Sequence, residues 1–134
     1  VGSEMCIETA HTQVHTEGTN CDIPSEELLP VADIVITDYS SILFDAMIYQ
    51  LPLVLFAPDL EEYLASRGFY LDYHTLPGIH IQKEEQLVKV LSDEARLNSS
   101  VNQKYHDFFQ DYMAACDGHA TRRIMDYVSK SPNK

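Results

Sequence analysis

Apolar positions along this chain come in short blocks parted by polar turns. Residues 34–36, Ile-Val-Ile, are β-branched and bounded by Asp33 and Thr37. Such a run predicts a strand buried on both faces, as in a parallel sheet. Immediately afterwards Tyr39-Ser40-Ser41 leads into residues 42–50, whose apolar side chains wrap most of a helix. Ser40 or Ser41 suits the N-cap, Asp45 falls in the first turns and Pro52 marks the end. Residues 53–56, Leu-Val-Leu-Phe, give a second buried strand. The resulting β-loop-α-β unit implies parallel strands joined by a right-handed crossover, hence an α/β fold.

Residues 5–9 read as a further strand, 10–20 as a Thr-, His- and Gly-containing loop, and 22–29 as a short helix with Pro24 near its start. Beyond the second strand, 59–66 reads as a helix closed by Gly68, and 69–78 as an aromatic loop ending in Pro77-Gly78. Three helices follow, over 83–92, 94–116 and 119–130. Leu87, Val88, Val90 and Leu91 support the first of these, and Tyr105, Phe108, Phe109, Tyr112 and Met113 form the apolar stripe of the second.

Composition narrows the function. The 134 residues include 45% hydrophobic and 22% charged residues, as in an ordinary globular domain with a single core. No apolar run approaches the roughly 20 residues of a membrane span. Cys6, Cys21 and Cys116 are odd in number and widely spaced, which argues against a disulfide framework or a zinc site and for a reducing, cytoplasmic setting. Net charge is -12. No Lys or Arg precedes Arg67. That distribution excludes nucleic-acid binding by phosphate neutralisation. An anionic ligand would have to be held by backbone N–H groups and helix dipole, or by cations from elsewhere.

In an open parallel sheet, ligands bind beyond the carboxyl ends of the strands. Thr37-Asp38-Tyr39-Ser40-Ser41 occupies that place. The two hydroxyls and the N–H groups of Ser41, Ile42 and Leu43 suit a phosphate or pyrophosphate. A plain N-cap is the structural alternative. Asp45 could accept from a ribose diol or simply complement the helix dipole.

The run from Ala32 to Asp45, Ala-Asp-Ile-Val-Ile-Thr-Asp-Tyr-Ser-Ser-Ile-Leu-Phe-Asp, resembles the signature of CDP-glycerol:poly(glycerophosphate) glycerophosphotransferases and their ribitol-phosphate relatives, enzymes of teichoic acid synthesis. Further motifs of that family recur in order: the Pro-led strand from Pro52, the acidic helix with Tyr63, Gly-Phe-Tyr-x-Asp-Tyr over 68–73, Pro77-Gly78, and Asp117-Gly118-His119-Ala120-Thr121-Arg122-Arg123. The resemblance covers about residues 22–128. It implies a Rossmann-like parallel sheet flanked by helices, forming the C-terminal half of a GT-B fold. The expected division is an N-terminal strand and loop over 1–21, a nucleotide-binding domain over 22–130 and a tail over 131–134.

The same resemblance implies a function. A glycerol hydroxyl of the polyol-phosphate polymer attacks the β-phosphate of CDP-glycerol or a related CDP-polyol, and CMP leaves. Thr37, Asp38, Ser40, Ser41 and Asp45 are the implied nucleotide-binding residues. A similar turn in GT-B UDP-GlcNAc 2-epimerases, where Ser-Gly-Gly meets phosphates and a Glu meets ribose, places the pyrophosphate on Ser40 and Ser41 and the ribose on Asp45. Arg122 is the local candidate for a phosphate or polymer contact, against a salt bridge at the start of the last helix.

No catalytic residue, metal or cofactor is assigned. His11 and His15 lack the Arg-Pro context of the family's histidines, and His74, His80, His106 and His119 receive no role. Tyr70 and Tyr73 either line the cleft or pack. The expectation is a donor-binding part that is inactive alone, from an enzyme peripheral at the inner face of the plasma membrane. Two alternatives stand beside it: another GT-B enzyme acting on UDP-sugars, which would carry Gly-Gly at Ser40-Ser41, and a non-catalytic interaction domain.

Overall fold

In a computed structural model, residues 25–130 are described. The strand expected over 5–9, the loop over 10–20, the first residues of the 22–29 helix and the tail over 131–134 lie outside them. The described chain runs α1 (Ser25–Leu28), a 3-10 turn (Leu29–Val31), β1 (Val35–Thr37), α2 (Ile42–Ile48), β2 (Leu53–Phe56), α3 (Leu60–Ser66), a second 3-10 turn (Tyr73–Thr75) and β3 (Ile79–Ile81). It continues through α4 (Glu84–Leu91), α5 (Glu94–Ser99), α6 (Gln103–Met113) and α7 (Ala120–Lys130). The three strands form one parallel sheet in the order β1-β2-β3, so the expected α/β architecture is present.

Alternation along β2 splits the interior in two, because successive side chains point to opposite faces. Leu53 and Leu55 join Leu43, Ala46, Met47, Leu60, Tyr73, Leu76, Tyr105 and Phe108 on one face. Val54 joins Ile81 and Val90, with Phe56, Ile79 and Leu87 against them, on the other. Each fully buried aliphatic side chain of this kind contributes about 1.5–3 kcal/mol. β2 is therefore the hydrophobic centre. β1 differs from the expectation of burial on both faces, since Val35 is 9% exposed but Ile36 is 44% exposed. The α4–α5 pair packs beside β3, and β1 stands two strands away from it.

Three local details depart from the sequence reading. α2 stops before Pro52, through a Schellman closure: Gln50 N–H donates to the Met47 carbonyl at 3.1 Å and Leu51 N–H to the Ala46 carbonyl at 3.2 Å. Gln50 itself carries the required left-handed backbone, at φ 55°. The single helix expected over 94–116 divides at residues 100–102, because Asn102 caps a new helix by accepting from Tyr105 N–H at 3.3 Å. Tyr105 then anchors α6 to the sheet side, its hydroxyl donating to the Leu51 carbonyl at 3.1 Å. Finally, the third strand, Ile79–Ile81, begins directly after Pro77-Gly78, where three residues are too few for a periodic signal.

Among the described residues, no helix is long and apolar enough to cross a membrane.

Candidate functional site

The carboxyl ends of β1, β2 and β3 lie side by side, and the turn from Thr37 to Ser41 leaves the first of them. Thr37 closes β1 opposite Leu55, and Asp38 follows it with its side chain exposed. Ser40 does the capping: its Oγ accepts from Ile42 N–H at 3.3 Å, and its carbonyl accepts from Leu43 N–H at 3.4 Å. Both bonds are long, and both can be exchanged for a ligand at little cost. Ser41 has no side-chain capping bond, and its hydroxyl and N–H have no partner among the described residues. The turn thus presents loosely held donors on the side where the next helix begins. Asp45 sits in the first turn of α2, exposed and without a hydrogen bond or ion pair among the described residues. The structure brings Thr37, Asp38, Ser40, Ser41 and Asp45 together as consecutive parts of one turn and helix start.

Aromatic side chains brace this turn. Tyr39 stacks on Tyr63 with centroids 3.8 Å apart and planes 14° apart, and Phe69 and Tyr73 tilt against it at 5.9 and 5.8 Å. Its hydroxyl donates to Asp59 Oδ1 at 2.6 Å. Asp59 occupies the cap position of α3 yet makes no capping bond there. Burial first, then the hydrogen bond to Asp59, raises the Tyr39 phenol well above its ordinary pKa. It remains a donor at every working pH. This Tyr39–Asp59 tie joins the ends of β1 and β2, and sequence reasoning missed it because the partners are 20 residues apart.

One concavity borders the turn and a second lies further along the strand ends. The first, of about 170 Å3, is largely apolar and is lined by Tyr39, Ser40, Ser41, Phe69, Tyr70 and Leu76 among others. Tyr70 is fully exposed there, whereas Tyr73 is 2% exposed and belongs to the core. Of the two roles offered for the aromatic loop, Tyr73 takes the packing one, while Tyr70 borders the concavity beside the turn. Another concavity, of about 470 Å3, is open and acidic, lined by Pro58, Asp59, Glu61, Glu62 and Gln82 at the ends of β2 and β3.

Arg122 lies on α7 without an ion pair or hydrogen bond among the described residues. The salt bridge considered for it is made instead by Arg123, whose Nη1 lies 2.7 Å from both oxygens of Asp117 while Nη2 donates to the Ala115 carbonyl at 2.6 Å. The Asp117 carboxyl is held below its ordinary pKa by that guanidinium and by the His119 N–H. No hydrogen bond or ion pair joins Arg122 to the Ser40–Ser41 turn.

Comparison with known proteins gives the family. The family model described as CDP-Glycerol:Poly(glycerophosphate) glycerophosphotransferase matches residues 9–130. The teichoic acid poly(ribitol-phosphate) polymerase of Bacillus spizizenii is 33% identical over 103 residues, which are 76% of this chain and 16% of that protein. The teichoic acid glycerol-phosphate transferase of Staphylococcus aureus is 31% identical over 106 residues, 78% of this chain and 27% of that protein. A solved structure of the wall teichoic acid polymerase TagF, from a variant soaked with CDPG, superposes with a TM-score of 0.65 at 33% identity, over 78% of this chain and 26% of that one. The chain thus spans about a sixth to a quarter of these relatives.

Proposed function

The chain belongs to the CDP-glycerol:poly(glycerophosphate) glycerophosphotransferase family, and we propose that its 22–130 segment is the part of such an enzyme that holds the CDP-glycerol, or a related CDP-polyol, donor. The observation carrying this reading is the turn from Thr37 to Asp45. Its Ser41 N–H and hydroxyl are unpartnered among the described residues, its Ser40 bonds are weak, and an unpaired carboxylate stands one turn along α2. Ser40 and Ser41 then receive the pyrophosphate, as helix starts receive anions, and Asp45 accepts from the ribose hydroxyls. Thr37 and Asp38 set the exit of the chain from β1.

The reaction served is transfer of a polyol phosphate to the polymer, the acceptor hydroxyl attacking the β-phosphate and CMP departing. Catalysis of such a step needs positive charge at the phosphoryl oxygens and a base within hydrogen-bond reach of the hydroxyl. We assign neither to the Thr37–Asp45 turn, whose N–H and hydroxyl groups supply hydrogen-bond donors but no cation. We assign those groups to the portions of the longer relatives that this chain does not match, with Arg122 the local residue available to meet a phosphate or the polymer. The whole enzyme works at the inner face of the plasma membrane.

Calorimetric titration of the 134-residue chain with CDP-glycerol, CMP and UDP-N-acetylglucosamine tests the reading. Binding of the two cytidine nucleotides, with UDP-N-acetylglucosamine at least about tenfold weaker, is expected; tenfold corresponds to about 1.4 kcal/mol of discrimination. Preference for the uridine ligand would assign the site to a UDP-sugar enzyme. Absence of binding by all three would leave an interaction domain.

A further inference from the structure

Among the described residues, Tyr39 is the one member of the turn from Thr37 to Ser41 whose side chain bonds to another element. It stands directly before Ser40 and Ser41, so whatever fixes its ring also constrains the backbone that presents their hydroxyls and the Ser41 N–H. Both grips on it come from one helix. Asp59 at the cap of α3 and Tyr63 one turn later are four residues apart, hence on one face. The Tyr63 ring stacks on the Tyr39 ring at 3.8 Å, while the Asp59 carboxylate accepts from the Tyr39 hydroxyl at 2.6 Å. Phe69 closes the side of this socket, 5.9 Å from the Tyr39 ring and 5.5 Å from that of Tyr63.

The use made of Asp59 is informative. An aspartate in the cap position ordinarily accepts from a backbone N–H two or three residues on, and so stabilises its helix. Asp59 makes no such bond and turns its carboxylate to Tyr39 instead. Stability at α3 is given up for a tie to the turn after β1. That turn holds itself weakly, with 3.3 Å from Ile42 N–H to Ser40 Oγ and 3.4 Å from Leu43 N–H to the Ser40 carbonyl. Loose donors must be ordered before they bind an anion, and the ordering subtracts from affinity. A neighbouring side chain that orders them beforehand removes that loss.

Resting on the donor reading above, we propose that Tyr39 is a positioning residue for the donor's pyrophosphate: gripped by Asp59 and Tyr63, it holds Ser40 and Ser41 ready for the phosphate oxygens without touching the ligand itself. Its hydroxyl is already committed to Asp59, and burial together with that bond keeps it protonated. Asp59 acts through the tie alone. An ionised carboxylate repels an incoming phosphate and has no hydrogen bond to offer it.

Calorimetric titration of Tyr39→Phe, Asp59→Ala and their double variant with CDP-glycerol, in the 134-residue chain, tests the assignment. Tyr39→Phe keeps the stacked ring and removes only the hydroxyl. Each single variant should bind CDP-glycerol about 5- to 10-fold more weakly, and the double variant no more weakly than either, because all three remove the same bond. Asp59→Asn, which retains an acceptor for the Tyr39 hydroxyl, should restore most of the affinity. The direction is diagnostic, since an Asp59 that acted only as a charge near the site would give tighter binding in both of its variants. A bond that serves stability alone would lower the melting temperature of the variants and leave their affinity at the wild-type value. Tighter binding, unchanged affinity, or single-variant losses that multiply in the double variant would each overturn the proposal. Wild-type protein that binds no CDP-glycerol would sink the donor reading itself, whereas wild-type binding that the variants match would sink only the Tyr39 assignment.

Discussion

Gly78→Ala will lower the melting temperature by about 10 °C, the largest effect expected from a one-carbon change in this chain. At Gly78 φ is +112°, and an added Cβ would lie 2.8 Å from the Leu53 carbonyl oxygen and 2.9 Å from the Leu53 Cβ. Neither neighbour can yield, because Leu53 is fully buried and its backbone in β2 pairs with Val35 of β1. Backbone strain of this kind costs about 1–3 kcal/mol before the steric contact is added. A domain of this size loses about 3–5 °C per kcal/mol. Gly68→Ala provides the control, since φ is +68° there but nothing lies within 4 Å of an added Cβ. It should cost about 1–2 kcal/mol, the left-handed penalty alone. A Gly78→Ala melting temperature within about 2 °C of wild type, read by circular dichroism, would show that β3 is not seated against β2 as described.

Asp45→Ala should weaken binding of cytidine nucleotides by about 10- to 100-fold, the worth of a hydrogen bond to a charged group. Stability should change little in comparison. An exposed acid in the first turn of a helix contributes about 0.3–1 kcal/mol through the dipole, so the melting temperature should fall by only a few degrees. Comparing the two effects separates the roles that the sequence left open for Asp45. Loss of stability with intact affinity would make it a dipole complement; loss of affinity with nearly intact stability makes it the ribose acceptor. Isothermal titration and thermal melts on the same variant decide between them.

The strong local patterns of the chain were legible beforehand. The β-branched run before Thr37, the serine-capped helix after it and the apolar strand following Pro52 all rest on near neighbours in sequence, and all three elements formed, the first with one face exposed and the second ending at Ile48. Elements that depend on few residues or on a single cap were not. β3 has three residues, and the break before α6 turns on one Asn side chain. The exposure of Ile36 depends on where α4 and α5 come to rest, a tertiary outcome that a β-branched run does not encode.

The site was read unevenly for a similar reason. Ser40, Ser41 and Asp45 lie within six residues, so their convergence needs only one turn and one helix start. The bracing cluster of Tyr39, Tyr63, Phe69 and Tyr73, with Asp59, is assembled by the return of the chain across the strand ends. Aromatic composition alone could not tell which tyrosine is buried. Tyr70 and Tyr73, three residues apart, end as the most exposed and among the most buried aromatic side chains described. At the closing motif, adjacent arginines divided their tasks: Arg123 took the structural ion pair with Asp117. Arg122 was left available.

Backbone amide mapping during a titration tests the donor-binding claim most directly. In a 15N-labelled sample titrated with CMP, the amides of Ser41, Ile42 and Leu43 should shift first and furthest, because the bonds holding the latter two are the long ones at 3.3 and 3.4 Å. Asp45 should follow with them, while α7 and the α4–α5 pair stay unmoved. Shifts centred on another part of the chain, with Ser41 to Asp45 silent at saturation, would contradict the assignment of this turn as the nucleotide seat.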